Sequence, residues 1–476
     1  MTTALAPVVS LPVLIAGGGI GGLAAALALT RQGLDVKVLE QAPELGEIGA
    51  GVQLGPNGFA AFDALGIGAT ARAHAVYTDE MVMMDALDET VVGRIPVGAA
   101  FRQRFGNPYA VIHRADMQGS LLAAARASGR IEVLTSTQVV QVDHDNTDTD
   151  ADSVTVIDAR GGRHRGAALI GADGVKSAVR AQYVGDAARV SGHVVYRAVV
   201  DRCDFPLDLQ WNAASIWVGP NCHLVHYPLR GGEQYNVVVT FHSRHAEEWS
   251  VTEGSAQEVL SYFEGICPRA RQLIELPKSW KRWATADREP IGNWTFDPGQ
   301  RITLLGDAAH PTLQYLAQGA CMALEDAVTL GEALRVHPNH FAAAFALYQR
   351  SRIARTARVV LSAREMGRIF HAKGVERLVF ATSCGKAVRP IATTMRWNGC
   401  AAGGSRIVWR PDCFCQPLAE PPTLTFWRSH ELRLRTRTAS RCADCRQRRA
   451  VPGASHLLRR PQLRRACTRD GLRPGP

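Results

Sequence analysis

The first residues in the chain that could do chemistry are three glycines and a carboxylate. Gly17, Gly19 and Gly22 form a GxGxxG motif between an apolar run and an alanine- and leucine-rich segment. Glycines let the backbone approach a pyrophosphate, and the helix that follows offers unpaired N–H groups to hold it. Glu40 lies about 20 residues on, where a carboxylate can accept hydrogen bonds from a ribose diol. The pattern predicts a strand, turn, helix and strand that bind a dinucleotide, without distinguishing FAD from NAD.

Two more carboxylates lie beside glycines at the ends of short apolar runs. Asp173 lies in ALIGADGVKSAVR (168–180), and Asp307 lies in GDAAHP (306–311). A tight turn could place the Asp173 carboxylate and backbone amides on a cofactor, although a purely structural turn is the alternative. Asp307 could bind a polyol. A helix that begins at Gln318 and Gly319 points its amides back at the Asp307 loop.

The segment CHLVHYPLR (222–230) alternates as a β-strand does. The period of two puts His223 and Tyr227 on one face and His226 on the other. A histidine whose pKa is near neutrality can take a proton from a phenol. The alternative is that His223 is simply a structural histidine.

Elsewhere the patterns predict the elements that position these residues. Residues 190–277 alternate and are rich in aromatics, with no long helical period until 256–266, which predicts an inserted antiparallel sheet. A glycine-rich loop at 47–58, leading into a helix at 59–65, could lie flat against a ring system or be an ordinary surface turn. A long helical region is predicted at 341–365. The arginines of that region, which we expect to form a solvated face, are Arg350, Arg352, Arg355 and Arg358.

The positive charge of the chain is concentrated at one end. The 476 residues carry a net charge of +10, yet residues 380–476 have 19 Lys and Arg against 5 Asp and Glu, whereas residues 1–379 have 35 against 39. The charge is therefore no evidence that the body of the protein binds nucleic acid. The body has only four cysteines, which suits a reducing cytosol. With no signal peptide and no long apolar run, we expect a cytoplasmic protein without a membrane span.

Three segments, GGGIGG with Glu40, GADGVKSAVR and GDAAHP, together resemble those of the FAD-dependent group A aromatic hydroxylases. The resemblance implies an α/β fold like that of p-hydroxybenzoate hydroxylase: a Rossmann-like FAD-binding domain, an inserted antiparallel-sheet substrate domain and C-terminal helices. We place the FAD-binding domain at 8–80, 105–183 and 284–379, and the substrate domain at 81–104 and 184–283. By the resemblance, Glu40 and the glycines hold the ADP part of FAD, Asp173 lies by the pyrophosphate, and Asp307 holds the ribityl chain.

Longer strings, including FHSRHAEEWS and HPTLQYLAQGACMALEDAVTLGEAL, resemble the family members that hydroxylate 3-hydroxybenzoate, from about residue 11 to 379. By that similarity His223 accepts the phenolic proton, Tyr227 lies in the substrate pocket and Gln314 binds polar groups of the substrate. The same similarity places Val52 and Arg114 near the flavin.

The implied reaction converts 3-hydroxybenzoate to gentisate with NADH and O2 through a flavin C4a-hydroperoxide, and removing the phenolic proton makes the ring more reactive. No metal is implied, and a homodimer is compatible with the resemblance. Three alternatives stay open: salicylate or another hydroxylated aromatic acid as substrate, a flavin dehydrogenase or reductase that does not use O2, and an inactive product.

The resemblance stops after Val379, where arginine, cysteine and proline become frequent. Cys413, Cys415, Cys442 and Cys445 could suggest zinc, but their spacing is poor. A nucleic-acid-binding arm is a second interpretation.

A third interpretation comes from the letters of this tail. FATSCGKAVRPIATTMRWNGCAAG, back-translated with permissible codons and reread one nucleotide back, gives RNELWKGRTPDRYDHAMEWLRGW. That string resembles the C-terminal end of the same family. We hypothesise that a one-base insertion or deletion at the codons of Val379 and Phe380 put residues 380–476 out of frame, and we expect this tail to be disordered.

The reading-frame hypothesis can be tested on the gene. Sequencing across the codons of Val379 and Phe380 should show a one-base difference from related strains. An unbroken frame in independently isolated strains would contradict it.

Overall fold

The computed structural model describes residues 11–46, 50–143, 153–248, 251–297 and 299–379. The strands are β1 (Val13–Ala16), β2 (Val36–Leu39), β3 (Gly51–Leu54), β4 (Glu80–Asp85), β5 (Val91–Pro96), β6 (Ala110–His113), β7 (Ile131–Leu134), β8 (Val139–Asp143), β9 (Val154–Asp158), β10 (Arg163–Gly166), β11 (Ala168–Gly171), β12 (Arg189–Asp201), β13 (Ala213–Gly219), β14 (Cys222–Leu229), β15 (Gln234–His242), β16 (Val251–Gly254), β17 (Trp280–Asp287), β18 (Thr295–Phe296) and β19 (Ile302–Leu304). The α-helices are α1 (Ile20–Thr30), α2 (Pro56–Ala64), α3 (Gly68–His74), α4 (Ala99–Phe105), α5 (Arg114–Ala127), α6 (Ala178–Tyr183), α7 (Ala256–Tyr262), α8 (Pro268–Glu275), α9 (Gly319–Val336) and α10 (Phe341–Phe370).

The first sheet contains the glycine motif. Its six strands run in the order β18-β19-β11-β1-β2-β7, and all neighbours are parallel except β18 and β19. Every residue of β1 and β11 is buried, as expected for parallel strands that are covered on both faces. Since parallel strands end at the same edge, the segments after β19, β11, β1 and β2 emerge side by side. These segments carry Asp307, Asp173, the glycine turn and Glu40 in that order.

The second sheet has eight strands in the order β16-β17-β12-β15-β14-β13-β4-β5. Its neighbours are antiparallel except β13 and β4. One face packs on α7 and α8 through an apolar cluster that includes Trp217 and Phe241. Tyr227 belongs to another apolar cluster, with Phe101 and Val111. The two sheets confirm the predicted fold class, and the residue boundaries of the two domains stay a prediction.

Two local predictions were wrong. Residues 47–58 are not one loop: β3 pairs with β6, and α2 begins at Pro56, three residues before the predicted helix. Proline suits the first turn of a helix because backbone N–H groups there have no acceptor within the helix, so the N–H that proline lacks costs no hydrogen bond. The predicted helix at 256–266 ends at Tyr262, and a second helix begins at Pro268 after Gly265, whose φ is +75°. Residues 47–49 lie outside the described residues.

The frame change and the zinc and nucleic-acid alternatives all concern residues 380–476, which lie outside the described residues. Over the described ranges, no helix has both the length and the apolar character needed to cross a membrane. The same ranges contain no group of three or more His, Cys, Asp or Glu side chains that could hold a metal ion.

Candidate flavin and substrate site

The glycine turn after β1 leaves no room for side chains at two positions. Gly17 has φ +101°, and a Cβ there would lie 2.4 Å from the carbonyl oxygen of Ala172. A Cβ on Gly22 would lie 2.0 Å from the carbonyl oxygen of Gly17. At Gly19, the residue before α1, no described atom lies within 4 Å of the Cβ position. Open space before a helix N-terminus, where N–H groups lack intrahelical partners, fits a diphosphate.

Glu40 holds the glycine turn in place. Its Oε2 accepts a hydrogen bond from the Gly18 N–H at 2.6 Å, and its Oε1 accepts one from the Ala42 N–H at 2.8 Å. This role was not predicted. Each carboxylate oxygen has a second lone pair, so the bonds leave acceptor capacity for the predicted ribose contact.

Asp173 lies directly beside the glycine turn. Its Cα lies 3.0 Å from the Cβ position of Gly17. Its Oδ2 accepts hydrogen bonds from the N–H groups of Ala178 at 2.8 Å and Val179 at 3.3 Å, and its Oδ1 is buried without a partner among the described residues. Burial raises the pKa of the Asp173 carboxyl despite these bonds. The unpartnered oxygen leaves an acceptor for a polar group of a ligand.

Asp307 occupies a 3-10 turn, Gly306–Ala308, after β19. Its side chain is exposed, yet enough protein surrounds the carboxyl that desolvation raises its pKa against the effects of His310 and Arg114. Its Oδ1 lies 3.9 Å from the Cβ position of Gly319, the first residue of α9. The Asp307 turn therefore lies directly beside the N-terminus of α9.

A buried ion-pair network holds the Asp307 turn. Arg352, only 3% exposed, pairs with Glu325 at 2.6 Å and Asp326 at 2.7 Å. The second oxygen of Asp326 accepts a hydrogen bond from the Gly306 N–H at 3.0 Å and lies 2.5 Å from Nε2 of His310. Burial alone would raise the pKa of Asp326, but His310 and Arg352 hold it well below its usual range. The network thus fixes both ends of the GDAAHP segment.

This network corrects the prediction of a solvated arginine face on α10. Arg350 and Arg358 are exposed as predicted, but Arg352 is buried, and the half-buried Arg355 pairs with Glu325 at 2.6 Å. The helical period could have shown that Arg352 is buried, because it lies on the apolar stripe of α10. The buried residues of α10 at intervals of three or four that share a stripe with Arg352 are Phe345, Tyr348, Thr356, Val359 and Ala363.

His223 and Tyr227 share one face of β14, as predicted, but are not in contact. They are four positions apart along the strand, which puts their Cα atoms about 13 Å from each other. His223 is 3% exposed and lies among Tyr315, Phe370 and His371, with Nδ1 2.7 Å from Nε2 of His371. Burial lowers the pKa of His223 to about 3, so the ring is neutral in this environment.

The Tyr227 ring packs against β3. A Cβ on Gly51 would lie 2.4 Å from this ring, and the Gly51 N–H donates to Asn236 at 2.8 Å. Val52 follows on β3, and Arg114 begins α5 with its N–H donating to the Ala50 carbonyl at 2.9 Å. Arg114, which directly follows β6, is near enough to Asp307 for its charge to oppose the rise in the pKa of that carboxyl.

Gln314 opens a 3-10 turn, Gln314–Leu316, in the loop after Asp307. Its Nε2 is buried and has no hydrogen-bond partner in the described part of the chain. The next residue, Tyr315, has its ring 5.5 Å from that of His223. An unsatisfied buried donor near His223 fits a polar group of a bound molecule.

Besides the ion-pair network, sequence reasoning missed two buried residues that contact the predicted site. Arg180, fully buried, donates hydrogen bonds to the carbonyls of Ala308 at 3.1 Å and Ala309 at 2.7 Å, which ties α6 to the Asp307 turn. His371 comes from the end of α10, 148 residues after its partner His223. No local pattern could have found either contact.

A strand-ending edge with a glycine turn, nearby carboxylates and two helix N-termini is the arrangement of a dinucleotide-binding protein. A family model described as "FAD binding domain" matches residues 10–363. The 3-hydroxybenzoate 6-hydroxylase of Polaromonas naphthalenivorans (strain CJ2) is 74% identical over 78% of this chain and 90% of that protein. That of Klebsiella oxytoca is 59% identical over 77% of this chain and 90% of that protein. A crystal structure of Klebsiella pneumoniae HpxO with FAD and uric acid matches with a TM-score of 0.68 and 27% identity, over 79% and 93% of the two chains.

The chain therefore belongs to the FAD-binding-domain family and, within it, to the FAD-dependent aromatic monooxygenases. FAD is its cofactor, in agreement with the open space at Gly19 and the unpartnered oxygen of Asp173.

Substitution at Gly19 should separate cofactor binding from folding. Gly19→Ala adds a methyl group where no described atom lies within 4 Å, so the free energy of unfolding of the apoprotein should change by less than about 1 kcal/mol. FAD affinity should fall because the methyl group enters the diphosphate space. Titration of apoprotein with FAD, followed by flavin fluorescence, measures this. Gly119→Ala, on exposed α5 surface, is the matched control; equal FAD affinity in both variants would contradict the assignment.

Removing the charge of Arg352 should destabilise the protein strongly. Arg352→Leu leaves two buried carboxylates without their main partner and should lower the free energy of unfolding by about 3–5 kcal/mol. Arg350→Leu, two residues earlier and exposed, should change it by about 0.5 kcal/mol or less. Denaturant unfolding of both variants with FAD bound makes the comparison. Equal unfolding midpoints would show that the network does not hold the fold.

Proposed function

We propose that the protein hydroxylates 3-hydroxybenzoate para to its hydroxyl group and releases gentisate. The reaction consumes one NADH, one O2 and one proton, and also forms NAD+ and water. Bound FAD supplies electron transfer from the nicotinamide to O2 and delivery of one oxygen atom to the ring. The names of relatives that are 74% and 59% identical support this substrate.

The observation that carries the proposal is the state of His223. The ring is buried on the sheet face that it shares with Tyr227, and its Nδ1 is hydrogen-bonded to His371, whereas Nε2 has no hydrogen bond among the described residues. The neutral ring has a lone pair on Nε2 that can accept the phenolic proton. Burial makes it a weaker base than the near-neutral histidine expected from the sequence, and the negative charge of a bound substrate raises its pKa again. Loss of the phenolic proton makes the aromatic ring more electron-rich.

Gln314 and Tyr227 complete the proposed substrate pocket. The unpartnered Nε2 of Gln314 can donate to the carboxylate or the phenolic oxygen of the substrate. The buried Tyr227, with the apolar residues around it, limits access of water. Water exclusion matters because it strengthens every electrostatic contact inside the site and prevents unproductive side reactions.

Turnover by the purified full-length chain tests the proposal. NADH oxidation, O2 uptake and product identity should be measured with 3-hydroxybenzoate and salicylate in parallel, and gentisate should form from the first. His223→Ala should lower kcat roughly 100-fold or more because the base is lost. His226→Ala removes a buried histidine from the other face of β14 and should lower kcat far less.

Other outcomes would identify the alternatives. Equal conversion of salicylate to catechol would overturn the substrate assignment. NADH oxidation without aromatic-dependent O2 uptake would indicate a flavin dehydrogenase or reductase. A purified protein without flavin absorbance would indicate an inactive product.

A further inference from the structure

The His223 ring has one hydrogen-bond partner in the described part of the chain, and it is a second histidine. Nδ1 of His223 lies 2.7 Å from Nε2 of His371, and both rings are buried. His371 directly follows α10, and its carbonyl accepts a hydrogen bond from the Asn221 N–H at 3.1 Å. The residue is therefore anchored at both its backbone and its ring.

Polar rings from neighbouring elements lie close to this pair. His193 of β12 lies edge-on to His371, with ring centroids 4.9 Å apart, and its Nδ1 lies 2.7 Å from the Tyr315 hydroxyl. His242 of β15 lies 5.2 Å from His193. Among the described residues, no carboxylate is hydrogen-bonded to His223 or His371. The bond to His371 is therefore the one side-chain contact in the described part of the chain that can set the tautomer of His223.

The shared hydrogen bond restricts the tautomers of the two rings. One proton lies between the two nitrogens, so either His223 donates from Nδ1 or His371 donates from Nε2. In a neutral histidine, only the first arrangement leaves Nε2 of His223 unprotonated and able to accept a proton. An arrangement in which His371 donates would put the His223 proton on Nε2 and block the base.

We propose that His371 is a positioning residue for the hydroxylation: it holds His223 in the Nδ1-protonated tautomer and takes up the Nδ1 proton when Nε2 receives the phenolic proton. This inference rests on the proposed function of His223. In the step, the phenolic O–H bond breaks and an Nε2–H bond forms on His223, while the Nδ1–H bond of His223 breaks and an Nε2–H bond forms on His371. No electrons are transferred, and the positive charge resides on His371, one ring further from the substrate.

The electrostatics of the pair explain why a second ring is useful. Burial lowers the pKa of both histidines, and the neighbouring His193 adds to this effect. The phenolate and carboxylate of a bound substrate counteract it, since opposite charges nearby favour the imidazolium. In the proposed arrangement His371 carries its own proton on Nδ1 throughout, and this buried N–H has no partner among the described residues. The imidazolium of His371 therefore has only the hydrogen bond to His223, and its charge is held only while the anion is bound.

The tautomer can be measured without turnover. In the full-length protein with 15N-labelled histidine, two-bond 15N–1H correlations should show His223 protonated at Nδ1, with the signals assigned by their loss in His223→Gln. His371→Phe should shift His223 toward the Nε2-protonated form, whereas His371→Gln, whose amide oxygen can accept from Nδ1, should preserve the Nδ1 form. An Nε2-protonated His223 in the unsubstituted protein would overturn the proposal.

Kinetics test the proton uptake. His371→Phe should lower kcat for 3-hydroxybenzoate roughly 100-fold at pH 7 with a smaller change in KM. The deficit should shrink between pH 7 and 9, because a phenol with a pKa near 10 is increasingly ionised in solution and needs the base less. A merely structural defect would lower kcat equally at every pH. The kcat of His371→Gln should lie between those of His371→Phe and the unsubstituted protein, since glutamine orients His223 but cannot take the proton.

His226→Phe is the matched control, a buried histidine on the opposite face of the same strand that is bonded to Trp217. It should leave the pH profile unchanged. If the unsubstituted protein does not hydroxylate 3-hydroxybenzoate, or His223→Ala does not impair turnover, the proposed function fails, and the tautomer measurement still decides the role of His371. If His223→Ala impairs turnover but His371→Phe does not, only the present inference fails.

Discussion

The buried pairing of Arg352 with Glu325 and Asp326 is the interaction on which the flavin site depends most. Three charged groups inside a protein are stable only when each is matched by a partner, because desolvation of an unpaired charge costs several kcal/mol. Arg352 meets that condition from α10, and the two carboxylates meet it from α9. Because Asp326 also binds Gly306 and His310, the charge balance of two helices fixes the loop that carries Asp307.

The network reaches further through neutral groups. Asn57 of α2 donates to Glu325 at 2.7 Å and to Gln318 at 2.9 Å, directly before the N-terminus of α9. From the opposite side, the buried Arg180 binds the carbonyls of Ala308 and Ala309. The turn is thus held by α6, α9 and, through Asp326, α10, while the Asp307 side chain itself is exposed. A rigid polar support around one free carboxylate is what the binding of a polyol chain requires.

The antiparallel sheet buries His223 while leaving one of its ring nitrogens able to accept a proton. Alternation along β14 sends His226 into the apolar cluster with Trp217 and sends His223 to the opposite face. There, the 3-10 turn of Gln314–Leu316 and the end of α10 cover it. Because the ring is buried away from water, its single hydrogen bond determines which of its nitrogens carries the proton. His371, the residue that makes this bond, lies at the end of the last described long helix, close to the place where the family resemblance stops.

The sequence alone determined the parallel core and the order of the cofactor segments, because these are encoded by local patterns. Hydrophobic periods of 3.6 and 2 identify the helices and strands, and GxGxxG and the strand-ending Asp residues mark the turns between them. The sequence also indicated His223 and Tyr227 on one face. It did not locate β3, since four residues become a strand only by pairing with β6, and it misplaced Arg352, whose burial depends on carboxylates of another helix. Only the tertiary structure decided that Glu40 holds the glycine turn and that His371 binds His223. Such contacts join residues 22 to 148 positions apart, and their geometry is set by packing, for which no local pattern exists.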